Sequence, residues 1–438
     1  MLLGNVGQLV VADVFQKAIL QINAARKNEA RRRLDFYHDG QLPYLLVELE
    51  KRFQHPEKLR PVFINIVKKI VNRLAQVYWQ VPKREIEGAD RDKEIFAEIS
   101  RSSGLDMKLK TASRYVKLLK TVMLRPVWRN GKMDLDILTP DILDVQTGQS
   151  PEDVLSVAVT HYGPSERLDD VTFSVWTPEA WRKLNYQGRE IESGANPYGL
   201  IPFVPAWDRT PIGSDFWLDG GDDVLSVQEA INERLVDLLH VIRFQAFGVG
   251  YIKGRGGESL DSIDPGSLVE LPENGELGYA ATEAQIAEAV DAIDKLVKWA
   301  AISNGLPASS LSTDPTEESG VSKMVSNFEL LEMRRDDVSL FRVYEQRIFQ
   351  VFHAVWNAHN PNRKMSDGAT LLTDFFDPTP QVSPKEQAET FDQLLEMGVI
   401  SPVDVVMERN PDLTTREDAM AFLLKLRDET RQLNEQTI

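Results

Sequence analysis

Six histidines, His38, His55, His161, His240, His353 and His359, are the side chains most easily recruited for chemistry. A helix-borne metal site needs two of them four residues apart, as in His-Glu-x-x-His. No such pair occurs. The chain has no cysteine, which removes disulfides, thiolate metal sites and a Cys nucleophile and fits a reducing compartment. The glycine cluster Lys253-Gly254-Arg255-Gly256-Gly257-Glu258 has the small residues a phosphate loop needs, without its Gly-Lys-Ser/Thr ending. It reads either as a nucleotide loop or as the tip of an insert. Asp219-Gly220-Gly221-Asp222-Asp223 offers oxygen ligands for Ca²⁺ outside EF-hand spacing, or else carboxylates that cap a helix. No Gly-x-Ser-x-Gly, Gly-x-Gly-x-x-Gly or paired-acid pattern stands out. No enzyme, metal or cofactor is expected.

Charge says more. Residues 1–135 hold 26 Lys+Arg against 15 Asp+Glu, a balance of +11, and the remainder holds 24 against 52, a balance of −28. The whole chain carries −17. The split reads either as two solvated faces or as one surface for acidic partners and another that repels nucleic acid. The basic run Arg26, Lys27, Arg31, Arg32 and Arg33 is the candidate patch for acidic partners. At 438 residues with 42% hydrophobic side chains there is room for two to four structural units and a sizeable core. No apolar run approaches membrane-spanning length, and residues 1–20 lack a basic region and cleavage site, so no membrane contact and no signal peptide are expected.

The elements that must position these residues centre on 221–320. Val224, Val227, Ile231, Leu235, Leu238 and Ile242 recur on one face of a helix that Asp222 and Asp223 begin and Gly248 and Gly250 end. A second helix begins at Thr282, with Gln285 in capping-box spacing, and ends at Asn304-Gly305. Ile286, Ala289, Val290, Ile293, Leu296, Val297 and Ala300 form its apolar face, and Glu288, Asp291 and Lys295 lie opposite. That polar face is either simply solvated or lines something. Between the two, 246–281 is glycine-rich and strand-like, so the pair looks like a stalk with an insert at one end.

Before the stalk, helices are expected over 8–36, 59–79, 91–100 and 107–124. A small antiparallel sheet is expected over 126–210, with the Asn130-Gly131 hairpin and strands at 154–160, 171–176, 181–186 and 201–207. Thr177-Pro178-Glu179 either continues this sheet as a turn or begins a short helix. After it, a loop from Leu306 to Pro315 leads into a long helix, 319–358, and then further helices. Their starts carry the capping boxes Ser383–Glu386 and Thr414–Glu417 and the Ser401-Pro402 pair. The fold class expected is α+β, mainly helical.

The order of these pieces resembles the portal proteins of tailed bacteriophages, in the branch with a compact subunit. Arg33 through Tyr37 and Gly40 is similar to that family's Arg…Tyr-x-x-Gly entry. Asn65 to Val81-Pro82 resembles its Asn-x-x-Lys-x-x-Val…Pro-Val helix, with the ending inverted. Asn196-Pro197-Tyr198-Gly199-Leu200-Ile201-Pro202-Phe203-Val204 matches its Asn-x-x-Gly-x-Ile-Pro-Phe-Val strand, and the segment Val227 to Asn232 its Gln-x-x-Ile-Asn helix. Ser319-Gly320-Val321-Ser322 resembles Ser-Gly-Val-Ala, with Ser at 322, and Gly398-Val399-Ile400-Ser401 a Gly-x-Ile-Ser turn. The likeness spans almost the whole chain.

The resemblance implies a ring of twelve copies at one capsid vertex, in the virion, assembled in the bacterial host cytoplasm. Double-stranded DNA would enter through it during packaging and leave through it during ejection. Its implied partners are the large terminase, then a head-completion or tail adaptor, and a major capsid or scaffolding protein. Residues 1–222 and 319–379 would be the wing, 223–245 and 282–304 the stem, 246–281 the clip and 380–438 a helical crown. Residues 305–318 would be the channel loop, with Pro307, Ala308, Ser309, Ser310, Leu311, Ser312 and Thr313 facing the channel. Glu288, Asp291 and Lys295 would be channel-facing on the stem, Lys253, Arg255, Glu258 and Asp261 would meet motor or adaptor, and Arg26 to Arg33 would meet capsid or scaffold. The competing class is a ring-shaped virion adaptor or scaffold without a DNA channel.

Overall fold

The computed structural model describes all residues except 1–23, 54–55, 166, 248, 254–275, 281–285, 312–326, 377–383, 411–412, 414 and 437–438. Two compact units emerge: residues 1–316 with 327–376, and residues 317–326 with 377–438.

In the first unit, α1 (Ala25–Tyr37) and α2 (Leu42–Glu50) are separated by a tight turn in which Asp39 takes a positive φ and Gly40 N–H donates to the Asp35 carbonyl at 2.7 Å. The helix expected over 59–79 is shorter than its pattern. It is α3 (Ile66–Leu74), capped by Asn65, whose side chain accepts from Lys68 N–H. Pro61 disfavours helix at the preceding residue, and Arg60 sits at φ 51°. Strand β1 (Lys83–Glu87) follows, then α4 (Asp90–Ser103) and α5 (Leu105–Leu119), divided at Gly104 in the left-handed conformation.

The expected helix end at 124 is also corrected. Lys120 turns left-handed and β2 (Thr121–Arg129) begins, pairing on one side with β3 (Lys132–Leu138) and on the other with β9 (Val204–Trp207). Pairing on both edges outweighs the helical pattern of 120–124. Asn130 and Gly131 close the β2–β3 hairpin with φ of 52° and 75°, the left-handed pair a type I′ turn requires. The single expected sheet is two. The second is a five-stranded meander of β4 (Leu143–Thr147), β5 (Val154–His161), β6 (Thr172–Trp176), β7 (Ala180–Asn185) and β8 (Glu190–Ala195). Thr177 N–H donates to the Ala180 carbonyl and Trp176 pairs with Trp181, so 177–180 is a turn, not a helix.

The helix pair is α6 (Asp222–Phe247) and α7 (Ile286–Ser303), bridged by the antiparallel strands β10 (Val249–Lys253) and β11 (Glu276–Ala280). The long helix α8 (Phe328–His359) runs through the core, burying Phe341, Tyr344, Ile348, Phe352 and Val355 against Ile95, Ile99, Leu109 and Val116. Its expected first turns, 319–326, lie outside the described residues. Strand β12 (Thr370–Asp374) returns to pair with β1.

The second unit contains α9 (Pro384–Glu396), α10 (Pro402–Arg409) and α11 (Arg416–Gln436). Ser401 caps α10 with Asp404 in a reciprocal box. The last cap lies one residue beyond the expected Thr414, at Thr415, which accepts from Asp418 N–H and donates to its carboxylate. The fold is mixed α and antiparallel β, and no described helix is long and apolar enough to cross a membrane.

Candidate functional site: the helix pair and its buried anchor

Sequence places an amphipathic stripe on each member of the pair, and packing uses only part of it. On α6, Val224, Ile231 and Val236 are buried. On α7, only Ala300 and Ala301 are. Leu239, Ile242, Val290, Trp299 and Ile302 stay exposed, Trp299 at 62%. At 1.5 Å per residue α6 spans about 39 Å and α7 about 27 Å. The two rods pack along part of each stripe and leave these apolar side chains exposed on more than one side, Val290 being about half a turn round α7 from Trp299.

The base of the pair is fixed by hydrogen bonds. Asp223 accepts from Ser303 Oγ at 3.3 Å and Asn304 Nδ2 at 3.4 Å, joining the start of α6 to the end of α7. Arg33, nearly buried, donates to the Gly220 carbonyl at 2.6 Å, to the Leu118 carbonyl at 3.3 Å and to Asp222. Gly220 and Gly221 adopt φ of 118° and 85°, which only glycine takes without strain. The carboxylates at 222 and 223 therefore anchor helices. Among the described residues, no cluster of His, Asp and Glu able to hold a metal occurs.

A buried amide relay holds α6 to the rest of the unit. Gln228 Oε1 accepts from Ile66 N–H at 2.7 Å and Val67 N–H at 3.1 Å, donors at the start of α3 that have no partner within the helix. Its Nε2 donates to the Ile64 carbonyl at 2.7 Å and to Asn232 Oδ1 at 2.8 Å. Asn232 Nδ2 donates to Gln41 Oε1 at 2.8 Å, and Gln41 Nε2 to the Phe36 carbonyl at 3.1 Å. Gln41, Gln228 and Asn232 are all nearly inaccessible, so every bond here replaces water that cannot enter. The sequence singled out Gln228 and Asn232 as a motif without giving this role.

The basic run does not form the expected outward patch. Lys27 is fully buried, with Nζ 2.5 Å from Asp144. Arg26 donates to the carbonyls of Pro140 and Leu143 and to Asp144, and lies over the Trp217 ring at 4.1 Å. Arg32 pairs with Glu29 and Glu229, and Arg33 with Glu29 and Asp222. Among the described residues, Arg31 alone of the five has no carboxylate partner, and it donates to Tyr162 Oη at 3.2 Å. Carboxylates more than 110 residues downstream consume the cations that a linear reading leaves free.

The other candidates fall as follows. Glu288, Asp291 and Lys295 are exposed, with Asp291 and Lys295 paired at 2.7 Å. Pro307 to Ser310 form a half-exposed single turn, but Leu306 and Leu311 are buried in the main core. Leu311 therefore anchors the loop and does not project from it, because an apolar side chain gains by joining the core. Ser312 and Thr313 lie outside the described residues, as do Arg255, Glu258 and Asp261. Lys253 ends β10. The Lys253–Glu258 loop and the Thr282 and Ser383 caps fall largely or wholly outside them too.

Sequence reasoning missed two buried charge clusters. In one, Lys117 of α5 lies 2.8 Å from Asp208 and 2.7 Å from Asp337 of α8, and Lys120 lies 2.8 Å from Asp208. Burial pushes the Asp337 carboxyl up to about 6, only partly offset by Lys117. Burial also opposes ionisation of Asp208, yet Lys117 and Lys120 hold it below the usual carboxylate range. Burial works against the Lys117 ammonium, which the two carboxylates nonetheless keep above its ordinary value. In the other, Arg84 meets Glu345 at 2.6 Å and Asp106 at 2.5 Å, and Tyr78 Oη donates to Glu345 at 2.8 Å. These clusters tie α8 to the sheets. Their members stand far apart in sequence, and no local spacing announces them.

The family model described as "Phage portal protein, SPP1 Gp6-like" matches residues 20–435. None of the curated proteins matches the chain. Among solved structures, similar chains come from gene transfer agent particles, all at 12% identity. One, from the neck of an empty particle computed with C6 symmetry, has a TM-score of 0.46, with 78% of this chain and 89% of that one covered. A second, from the neck of a native particle computed with C12 symmetry, has a TM-score of 0.42 and covers 77% and 88%. A third, from the virion of the native particle, has 0.41 at the same coverage.

Proposed function

We propose, because this chain belongs to the SPP1 Gp6-like family of phage portal proteins, that twelve copies close into a ring at one vertex of a virion capsid. Double-stranded DNA passes along its axis during packaging and ejection. The large terminase docks first and a tail adaptor later. In this reading α6 and α7 are the stem, β10 and β11 begin the clip that meets motor or adaptor, residues 305–318 approach the channel, and α9 to α11 form the crown. Residues 1–222, α8 and β12 make up the wing, which faces capsid or scaffold.

The observation that carries the reading is the unfinished packing of the helix pair. Leu239, Ile242, Val290, Trp299 and Ile302 lie in water in the single chain. Sister copies around an axis cover such faces, at about 25 cal/mol per Å² of apolar surface. Glu288 and Asp291, on the same side of α7 as Trp299 and Ile302 but about 16 Å nearer its start, suit a wall along which DNA slides, since non-specific duplex binding comes from cations that replace counterions. Electron microscopy of the purified assembly tests this. The expected image is a ring with an axial hole wide enough for a duplex. A closed ring without a hole favours an adaptor or scaffold instead.

A further inference from the structure

Among the described residues, most buried cations have an anion or a carbonyl to meet. Lys27 has Asp144, Arg84 has Glu345, Lys117 has Asp208 and Asp337, and Arg334 has the backbone carbonyls of Gln76 and Phe376. Arg125 on β2, partly buried, is different. Its cross-strand partner in register is Asp136, but that carboxylate binds Arg129 at 2.9 and 3.1 Å. Among the described residues, none gives the Arg125 guanidinium a hydrogen bond or ion pair, and its Nε is buried with no acceptor. Burial pushes its pKa down, with Asp136 opposing.

The group is nonetheless held in place. Its guanidinium carbon lies 4.8 Å from the Trp176 ring centre and 5.1 Å from that of Phe203. Trp176 is stacked in turn with Trp181 at 6.0 Å and Tyr198 at 6.3 Å. Trp181 fills the space above Gly194, where an added Cβ would meet its indole nitrogen at 2.9 Å. The Trp176 indole N–H is also buried without an acceptor. Both atoms are closed to solvent, so an acceptor from outside meets the Arg125 Nη groups, which are not closed off and have no bond among the described residues. A planar cation already fixed by stacking loses little freedom on binding a carboxylate. Arg and Trp are the residue types that carry most interface energy.

We propose that Arg125 receives a carboxylate side chain from an adjacent copy of this chain, on the floor formed by Trp176, Trp181 and Tyr198. The inference rests on the ring reading above. The chain's own charge argues for a sister copy as occupant. With 67 Asp+Glu against 50 Lys+Arg, every copy offers carboxylates in excess. Identical copies at −17 each repel unless a cation is matched at the contact. A head-to-tail junction needs one such cation per copy.

Phenylglyoxal labelling of the wild-type assembly and of the subunit dissociated by dilution, mapped to Arg125 by mass spectrometry, tests the proposal. Labelling should fall about tenfold or more on assembly without DNA. Arg125→Gln should weaken assembly by about tenfold or more and flatten its salt dependence, with Arg125→Lys between. Should Arg125→Gln fail to fold, the wild-type labelling still decides. Equal labelling of ring and subunit, or protection only when duplex DNA is added, overturns the proposal and leaves the ring intact. A protein that forms no assembly at all overturns both.

Discussion

Gln228 Oε1 lies 2.7 Å from the backbone nitrogen of Ile66. A side chain 162 residues away thus completes the first turn of α3 and pins the start of α6 to it. Gln228→Ala leaves the Val67 N–H and Asn232 Oδ1 without partners in a site closed to water, and takes one partner each from the Ile66 N–H and the Ile64 carbonyl, which keep their contact with each other at 3.1 Å. The expected loss is on the order of 2–4 kcal/mol of subunit stability, read by urea unfolding. A loss under about 0.5 kcal/mol contradicts the relay.

The Asp337 carboxyl is held at about 6 in the folded chain, above its value in an unfolded one. The folded state therefore binds the extra proton between roughly pH 4 and 6, and this group's contribution falls as pH rises through that window. Asp337→Asn removes the buried charge but keeps the shape, and Lys117 retains Asp208. Relative to wild type, the variant should gain stability from pH 4.5 to pH 8, by on the order of 2 kcal/mol. Unfolding curves at both pH values give the difference. No change with pH, or a change of the opposite sign, counts against the assignment.

Trp299 and Ile302 are 62% and 57% exposed, so the subunit owes them little. The double variant Trp299→Ser, Ile302→Ser should alter subunit stability by less than about 0.5 kcal/mol and yet abolish the ring. Light scattering and a thermal melt at low concentration separate the effects. Intact rings from this variant place the junction elsewhere.

Weak contact with DNA is expected of a channel. Duplex binding by the ring at physiological salt should be weak, and Glu288→Lys with Asp291→Lys should strengthen it. Each new phosphate contact adds about 0.9 to the slope of log affinity against log salt. Fluorescence anisotropy across a salt series measures both. Tight, salt-sensitive binding by wild type that maps to the loop or stem contradicts an acidic, passive wall.

What could be read from the sequence was what local chemistry decides. The helix pair α6 and α7, the Asn130-Gly131 hairpin, the break at Gly104 and the Ser401-Pro402 start all rest on residues within a few positions of one another. What could not be read depends on distant partners. Nothing beside Lys27 reveals that Asp144 will bury it. The pairing of β1 with β12 joins opposite parts of the chain, and Val122 to Leu124 follow a helical pattern until two strands claim them. Gln228 shows the boundary well. Its spacing to Asn232 was visible as a motif, but its work is done on a turn it meets only in the fold.

The most direct measurement is a density map of the purified assembly fine enough to trace helices. The account predicts an axial hole wide enough for a duplex, α6 and α7 along its wall, and Leu239, Val290, Trp299 and Ile302 covered by the neighbouring copy. A single folded subunit at every concentration, or an assembly whose helix pair points away from any hole, contradicts it.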